Sequence, residues 1–287
     1  MDEAIVSGPG EGERLEIEDR VYLVKVARPE LSLIEYDTGP SYTGATPHFH
    51  ERHTDAFFLL EGELEFTLGR DTLIRRAGTA VVVPPGIVHA FTSTGHGGAR
   101  FLNVHSPDSG FADFLRALTR GETATFDSVD VEGPQEPGGG TVLESGEGTS
   151  YVVGTATSVF KATRESTAGS FSLAEVTIEP GTSGPPAHFH RELLDSFYVL
   201  EGTLAVLIGE DEVEAPAGTY ACAPPGVVHT FANRSDEPVR FFNLNTPGGW
   251  EDYIRDLAAA MPADGPPDPQ VMGEILARYD VVFPDRL

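Results

Sequence analysis

Positive charge is scarce in this chain. Of its 287 residues, 19 are Lys or Arg against 45 Asp or Glu, a formal net charge of −26. Nucleic acid and anionic membrane surfaces both need cationic patches, so neither is an expected partner. Only Lys25 and Lys161 are lysines. Both lie outside the motifs described below, and no lysine is placed for Schiff-base chemistry. Cysteine is nearly absent too. Cys222 stands alone, which excludes an intrachain disulfide. It lies in a strand-like run and reads as a buried, inert thiol. No apolar run resembles a signal peptide or reaches membrane-spanning length, so a reducing cytoplasm is the expected location. No helix-turn-helix pattern is visible, which disfavours a transcription factor.

Glycine and proline are plentiful, at 32 and 22 residues. Many sit at turn-like sites, as a strand-rich fold with many corners requires. The phrase His48-Phe49-His50, Asp55, Gly62 returns as His188-Phe189-His190, Asp195, Gly202 at a constant offset of 140 (188 − 48 = 140). The same offset relates Gly78 to Gly218, Pro84 to Pro224, Gly86 to Gly226 and His89 to His229. An ungapped overlay of 31–107 on 171–247 has roughly 29 identities in 77 positions. A period of that length is a whole domain. We therefore expect an N-terminal domain over 17–120, a linker over 121–150, a C-terminal domain over 151–260, and a closing connector and helix over 261–287.

Residues 1–16 read as loose polar chain. The runs 21–26, 31–36, 56–60, 63–68, 80–83 and 99–104 have strand length or alternation. Pro84-Pro85-Gly86 forces a turn before His89. Phe111, Phe114, Leu115 and Leu118 switch to helical spacing, as do Trp250, Tyr253, Ile254 and Leu257. Gly121–Ser150 and Pro262–Pro269 have linker composition, and Val271–Tyr279 reads as a closing helix with Asp268 as its cap. Many short strands joined by tight turns indicate an all-β sandwich or barrel in each half.

Alternate residues of a strand share a face, so His48 and His50 project together, as do His188 and His190. Such a pair alone is more often two half-buried histidines. Here each pair is tied to a further His after a rigid turn, and the set occurs twice. Three imidazoles with one carboxylate suit a divalent transition metal (Fe, Mn, Ni, Co, Cu or Zn), one per domain. The candidate ligands are His48, His50, Asp55 and His89, and His188, His190, Asp195 and His229. His53 reads as a surface histidine on a loop, since Leu193 replaces it in the second copy, with a substitute metal ligand as the rival reading; His96, in the loop Thr94-Gly95-His96-Gly97-Gly98, reads as solvated. Phe57, Phe66, Phe91, Phe197, Tyr198 and Phe231 read as core, although a mouth lined by such rings would accept a flat aromatic ligand.

These motifs resemble the cupin superfamily. The first reads His-x-His-x4-Asp-x6-Gly in both copies, and the second reads Gly-x5-Pro-x-Gly-x2-His. The resemblance implies two tandem jelly-roll (double-stranded β-helix) barrels, most like quercetin 2,3-dioxygenase-like and pirin-like bicupins. Such proteins usually carry Glu where this chain has Asp55 and Asp195. The shorter side chain either ligates or stops short, leaving a three-histidine site. Ser93 also stands where the second copy keeps the usual Asn233. The implied function is a metal-dependent dioxygenase, an oxidoreductase using O2 on a flavonol-like or enol-bearing small molecule, with Asp55 or Asp195 as general base. The alternatives are a non-catalytic pirin-like binding protein and an isomerase or decarboxylase. The implied assembly allows a homodimer.

Overall fold

The computed structural model describes residues 4–133, 135–136, 138–262 and 267–284. It divides into two compact units. The first unit is Glu11–Glu147 with Glu165–Ser170, and the second is Met1–Gly10, Gly148–Arg164 and Phe171–Leu287.

In the first unit, a seven-stranded antiparallel sheet runs in the order Thr141–Leu143, Ala80–Val83, Thr54–Glu61, Ala99–Ser106, Leu31–Thr38, Arg20–Arg28, Glu13–Ile17. A five-stranded sheet has the order Val129–Asp130, His48–Phe49, His89–Ser93, Glu63–Leu68, Asp71–Arg76. The alternation read in Glu63–Leu68 is realised: Leu64, Phe66 and Leu68 are buried while the residues between are half-buried. They share one core with Phe57 and Phe101 of the larger sheet, a jelly-roll arrangement of two sheets about one interior.

The second unit repeats the plan. Its seven-stranded sheet is Ile5–Ser7, Tyr220–Ala223, Leu194–Glu201, Val239–Thr246, Ser172–Ile178, Ala156–Ala162, Thr149–Val153. The smaller sheet is Asp211–Pro216, Thr203–Ile208, His229–Ala232. It is extended by single bridges from His188 to His229 and from Phe189 to Val282. Phe197, Phe231 and Phe241 pack together here, each 140 residues after Phe57, Phe91 and Phe101. Cys222 is buried, as expected.

Three helices complete the described chain: α1 (Phe111–Thr119), α2 (Trp250–Ala260) and α3 (Pro269–Arg278). The Asp268 side chain accepts from the Gln270 amide at 2.8 Å, so the expected cap of α3 is in place. The connector expected at 262–269 includes residues 263–266, which lie outside the described residues. No helix among the described residues is long and apolar enough to cross a membrane.

Two readings of the sequence need correction. The stretch 1–16 is not loose where it is described: Ile5–Ser7 and Glu13–Ile17 are strands, and residues 1–3 lie outside the described residues. Ile5–Ser7 pairs with Tyr220–Ala223, so its fixing partner lies more than 200 residues away and leaves no local signal. The acidic 121–150 stretch likewise adds Val129–Asp130 and Thr141–Leu143 to the sheets of the first unit. Thr141–Leu143 covers Ala80–Val83 just as Ile5–Ser7 covers Tyr220–Ala223, 140 residues on.

The two lysines also prove equivalent. Lys25 and Lys161 each occupy the point where strand register slips. A bulge of this kind re-aims a side chain. Both lysines are buried, with Nζ 3.9 Å from Glu35 and Glu175 respectively.

Candidate metal centres

His48 and His89 sit opposite each other on neighbouring strands of the smaller sheet, and His50 follows directly after the His48–Phe49 strand. Gly86, at φ 84°, makes the turn that delivers His89; its amide donates to the His50 carbonyl at 2.7 Å. Ring centroids of His48, His50 and His89 are 4.4–5.0 Å apart. In the second unit His188, His190 and His229 repeat this at 4.5–5.2 Å. In each triad one ring nitrogen per histidine lies within 4.8 Å of the other two, and all six rings are buried.

The outer face of each ring decides its tautomer. Nδ1 of His48, His50 and His89 donates to the carbonyls of Thr46, Asp127 and Ile87 at 2.8, 2.5 and 3.0 Å. In the second unit Nδ1 of His188, His190 and His229 donates to Pro186, Asp280 and Val227 at 2.9, 2.7 and 3.0 Å. Each Nε2 is therefore turned inward, the arrangement that metal-ligating histidines show, with Nε2 of His89 and His229 3.2 Å from Asp55 Oδ2 and Asp195 Oδ2. Nε2 of His50 and of His190 is buried and makes no hydrogen bond. An orphaned buried lone pair costs free energy unless something occupies it. The donor set thus fits a divalent ion on the chemistry of the residues present.

Asp55 and Asp195 lie at the edge of the triads. Asp55 Oδ2 is 3.2 Å from His89 Nε2 and 3.6 Å from His50 Nε2. Asp195 Oδ2 is 3.2 Å from His229 Nε2 and 4.0 Å from His190 Nε2. Each Oδ2 is thus as near to two of the triad nitrogens as ligands of one ion are to each other, and lies within reach of an ion held by the imidazoles. The other oxygen is tethered. Asn103 Nδ2 donates to Asp55 Oδ1 at 2.5 Å, and Asn243 and Asn245 donate to Asp195 Oδ1 at 2.5 and 2.8 Å. Burial would raise both carboxyl pKa values, but the surrounding imidazoles outweigh it, so both stay below the usual range.

Burial also pushes His48, His53 and His188 down to about 4, with neighbouring imidazoles adding to the shift. These groups bind a proton less readily folded than unfolded. Their contribution to stability is therefore full above the unfolded value of 6.5 and is lost as pH falls from there towards about 4. Metal-free protein should lose roughly 2 kcal/mol per such group between pH 7.5 and 5. Urea unfolding at the two pH values checks this; equal midpoints would contradict it.

The model of the Cupin domain family matches residues 34–105 and 174–245, half of the chain, and spans both triads. The chain belongs to the cupin family. Quercetin 2,3-dioxygenase of Bacillus subtilis (strain 168) is 23% identical over 248 residues, covering 73% of this chain and 72% of that protein. Among solved structures, a point variant of Bacillus subtilis oxalate decarboxylase is similar with a TM-score of 0.62 at 15% identity, covering 87% of this chain and 78% of that one. The putative glyoxylate induced protein from Pseudomonas aeruginosa gives 0.63 at 17%, covering 85% and 90%. These structures establish the shared bicupin fold.

Beyond the motif residues, this cupin uses two aspartates that the offset of 140 does not find. Asp127 and Asp280 each cradle the second histidine of a pair. The Asp127 carbonyl holds His50, and its carboxylate accepts from the amides of Glu51 and Arg52 at 3.2 and 2.9 Å. The Asp280 carbonyl holds His190, and Oδ2 accepts from Arg191 and Glu192 at 2.8 and 2.9 Å. A signal existed: Phe126-Asp127-Ser128-Val129 and Tyr279-Asp280-Val281-Val282 repeat at 280 − 127 = 153. Replacing either aspartate with Ala keeps the carbonyl that holds the ring but removes the carboxylate that fixes the two following amides, and should weaken metal binding in its own unit by up to about tenfold. Competition with a chromophoric chelator would show it, and unchanged affinity would deny the role.

His53 is not the expected surface histidine. It is only 1% exposed. Its Nδ1 donates to Asp127 Oδ2 at 2.9 Å, and its Nε2 lies 2.9 Å from His105 Nδ1. Both partners come from distant segments, so nothing local announced the burial. His96 is exposed, as read.

Both triads open on cavities. In the first unit the cavity is about 310 Å3, walled by Tyr22, Tyr36, Tyr42, Phe91, Phe111 and Phe126 around His48 and Asp55. In the second it is about 650 Å3, with His188, Asp195 and Asn243 on one side and Phe231, Trp250, Tyr253, Leu257, Met272 and Phe283 among its walls. Among the described residues no Lys or Arg lines the second cavity, and only Arg20 lines the first. Phe91 and Phe231 are therefore wall as well as core, whereas Phe57, Phe66, Phe197 and Tyr198 are buried and line neither cavity.

Proposed function

We propose that the second unit is the organic-substrate site of a metal-dependent dioxygenase, taking a flat, neutral, enol-bearing or flavonol-like molecule. The family match, the relatives and the two triads support a metal-dependent bicupin enzyme. One observation carries the finer reading. A triad with the Asp195 carboxylate beside it faces a cavity of about 650 Å3 whose walls are mainly aromatic and aliphatic and, among the described residues, hold no cationic side chain. That volume lies within the range typical of small-molecule pockets. A small dianion such as a dicarboxylate would have to enter an apolar cavity lined by no Lys or Arg among the described residues, in a chain of net charge −26. A flat neutral ring system would instead bury its faces against Trp250, Tyr253 and Phe231.

His188, His190 and His229 would hold a divalent ion, which supplies Lewis acidity towards a substrate oxygen and a path for its reaction with O2. Asp195 is then the proton acceptor. Asn243 and Asn245 fix Oδ1, and Oδ2 faces the triad at the cavity, where an enol or phenol hydroxyl would meet it. The depressed pKa keeps Asp195 ionised and ready to accept. The apolar walls exclude water from reactive intermediates. His48, His50 and His89 would hold the corresponding ion in the first unit, whose smaller cavity suits a smaller ligand.

The test is direct. Metal-loaded protein is given quercetin and simpler 1,3-diketones while O2 uptake and substrate absorbance are followed. Coupled loss of both supports the reading. Bound metal with no O2 uptake on any of them would sink it in favour of a binding protein or a non-oxidative enzyme.

A further inference from the structure

We propose that the first unit carries an additional metal position, built by His50, His53 and His105 beside the His48–His50–His89 triad. The argument rests on where the ring protons must be. Asp127 Oδ2 is an acceptor only, so His53 carries its proton on Nδ1. At the far end His105 Nε2 lies 2.8 Å from Asn103 Oδ1. That amide cannot be turned round, because its Nδ2 donates to Asp55 Oδ1 at 2.5 Å and to the Ala56 carbonyl at 3.2 Å, both pure acceptors. His105 therefore carries its proton on Nε2. A neutral imidazole has one ring proton, and here both are committed outward.

The inner nitrogens, His53 Nε2 and His105 Nδ1, are left facing each other at 2.9 Å with a lone pair each. Two lone pairs at that distance repel unless a cation joins them. His50 Nε2, buried and without a hydrogen bond, completes the set, and the three nitrogens lie within 4.8 Å of one another. A separation of 2.9 Å is that of two nitrogens about 90° apart on an ion roughly 2.0–2.1 Å from each. Asp127 and Asn103 then hold the two ligands from behind, as outer partners of metal-bound histidines do. His50 has one inward lone pair, so the two positions share it and an ion occupies one or the other. The second unit has Leu193 and Asn245 at the matching sites, and His188, His190 and His229 are its one such histidine group among the described residues.

The test uses the full chain with His188, His190 and His229 replaced by Ala, so that bound metal reports the first unit. Chelator-stripped protein is titrated with Co(II), and binding is read by mass spectrometry and visible absorption. Adding H48A/H89A should leave Co(II) bound, weakened by roughly 10–100-fold. Adding H53L/H105N to that variant should remove the remaining binding. H53L/H105N with His48 and His89 intact should still bind Co(II) at the triad, which guards against misfolding, and H53Q/H105Q repeats the comparison with polar side chains. Complete loss of Co(II) in H48A/H89A, or residual binding indifferent to His53 and His105, overturns the proposal and leaves a proton-bridged pair.

Discussion

Exchanging His188 and His190 together for Ala should end turnover, while the same exchange at His48 and His50 should leave most of it. The second unit pairs its triad with the larger apolar cavity, and a flat substrate fits there. Removing two of three imidazoles should weaken that metal site by at least about 10³-fold. Losing several kcal/mol of Lewis-acid stabilisation costs turnover by a similar factor. Each double variant should lose metal only from its own unit, since each triad is built within one unit. Bound metal per chain and O2 uptake are the measurements. If H48A/H50A were the inactive variant, the substrate would belong to the first unit and the cavity argument would fail.

The second large effect is expected at Asp195. The variant D195N keeps the shape of the side chain. Its carbonyl oxygen can still accept from Asn243 and Asn245, which now hold Oδ1. It cannot take a proton. If Asp195 is the base, kcat should fall roughly 10²–10⁴-fold while bound metal stays within about tenfold of the parent. If Asp195 were instead a needed ligand, metal and activity would fall together. At 3.2 and 4.0 Å from Nε2 of His229 and His190, Oδ2 is placed for either role, so the metal content of D195N decides between them. Asp55→Asn should hardly alter turnover, and a loss there equal to that in D195N would contradict the assignment.

Much of this molecule was legible in one dimension. A gapless offset of 140 exposed the duplication, because two jelly rolls with the same strand register must keep the same spacing. The six triad histidines could be picked out because both copies keep them, whereas His53, His96 and His105 vary. Period-two alternation placed Glu63–Leu68, and helical spacing placed α1 and α2, because those patterns follow from backbone geometry alone.

Other features arose only on folding. Asp127 reaches His50 across 77 residues, and Asp280 reaches His190 across 90. The His53–His105 pair joins residues 52 apart. Ile5–Ser7 finds its strand partner in the second unit. The cavities differ because α2 and α3 supply walls to one, and α1 and the Phe126 segment supply walls to the other. Local pattern determines which face a side chain takes on its own strand or helix. What that face meets depends on how distant segments pack, and so the ligand types could be read from the chain while their supports and the shape of the pocket were decided by the tertiary fold.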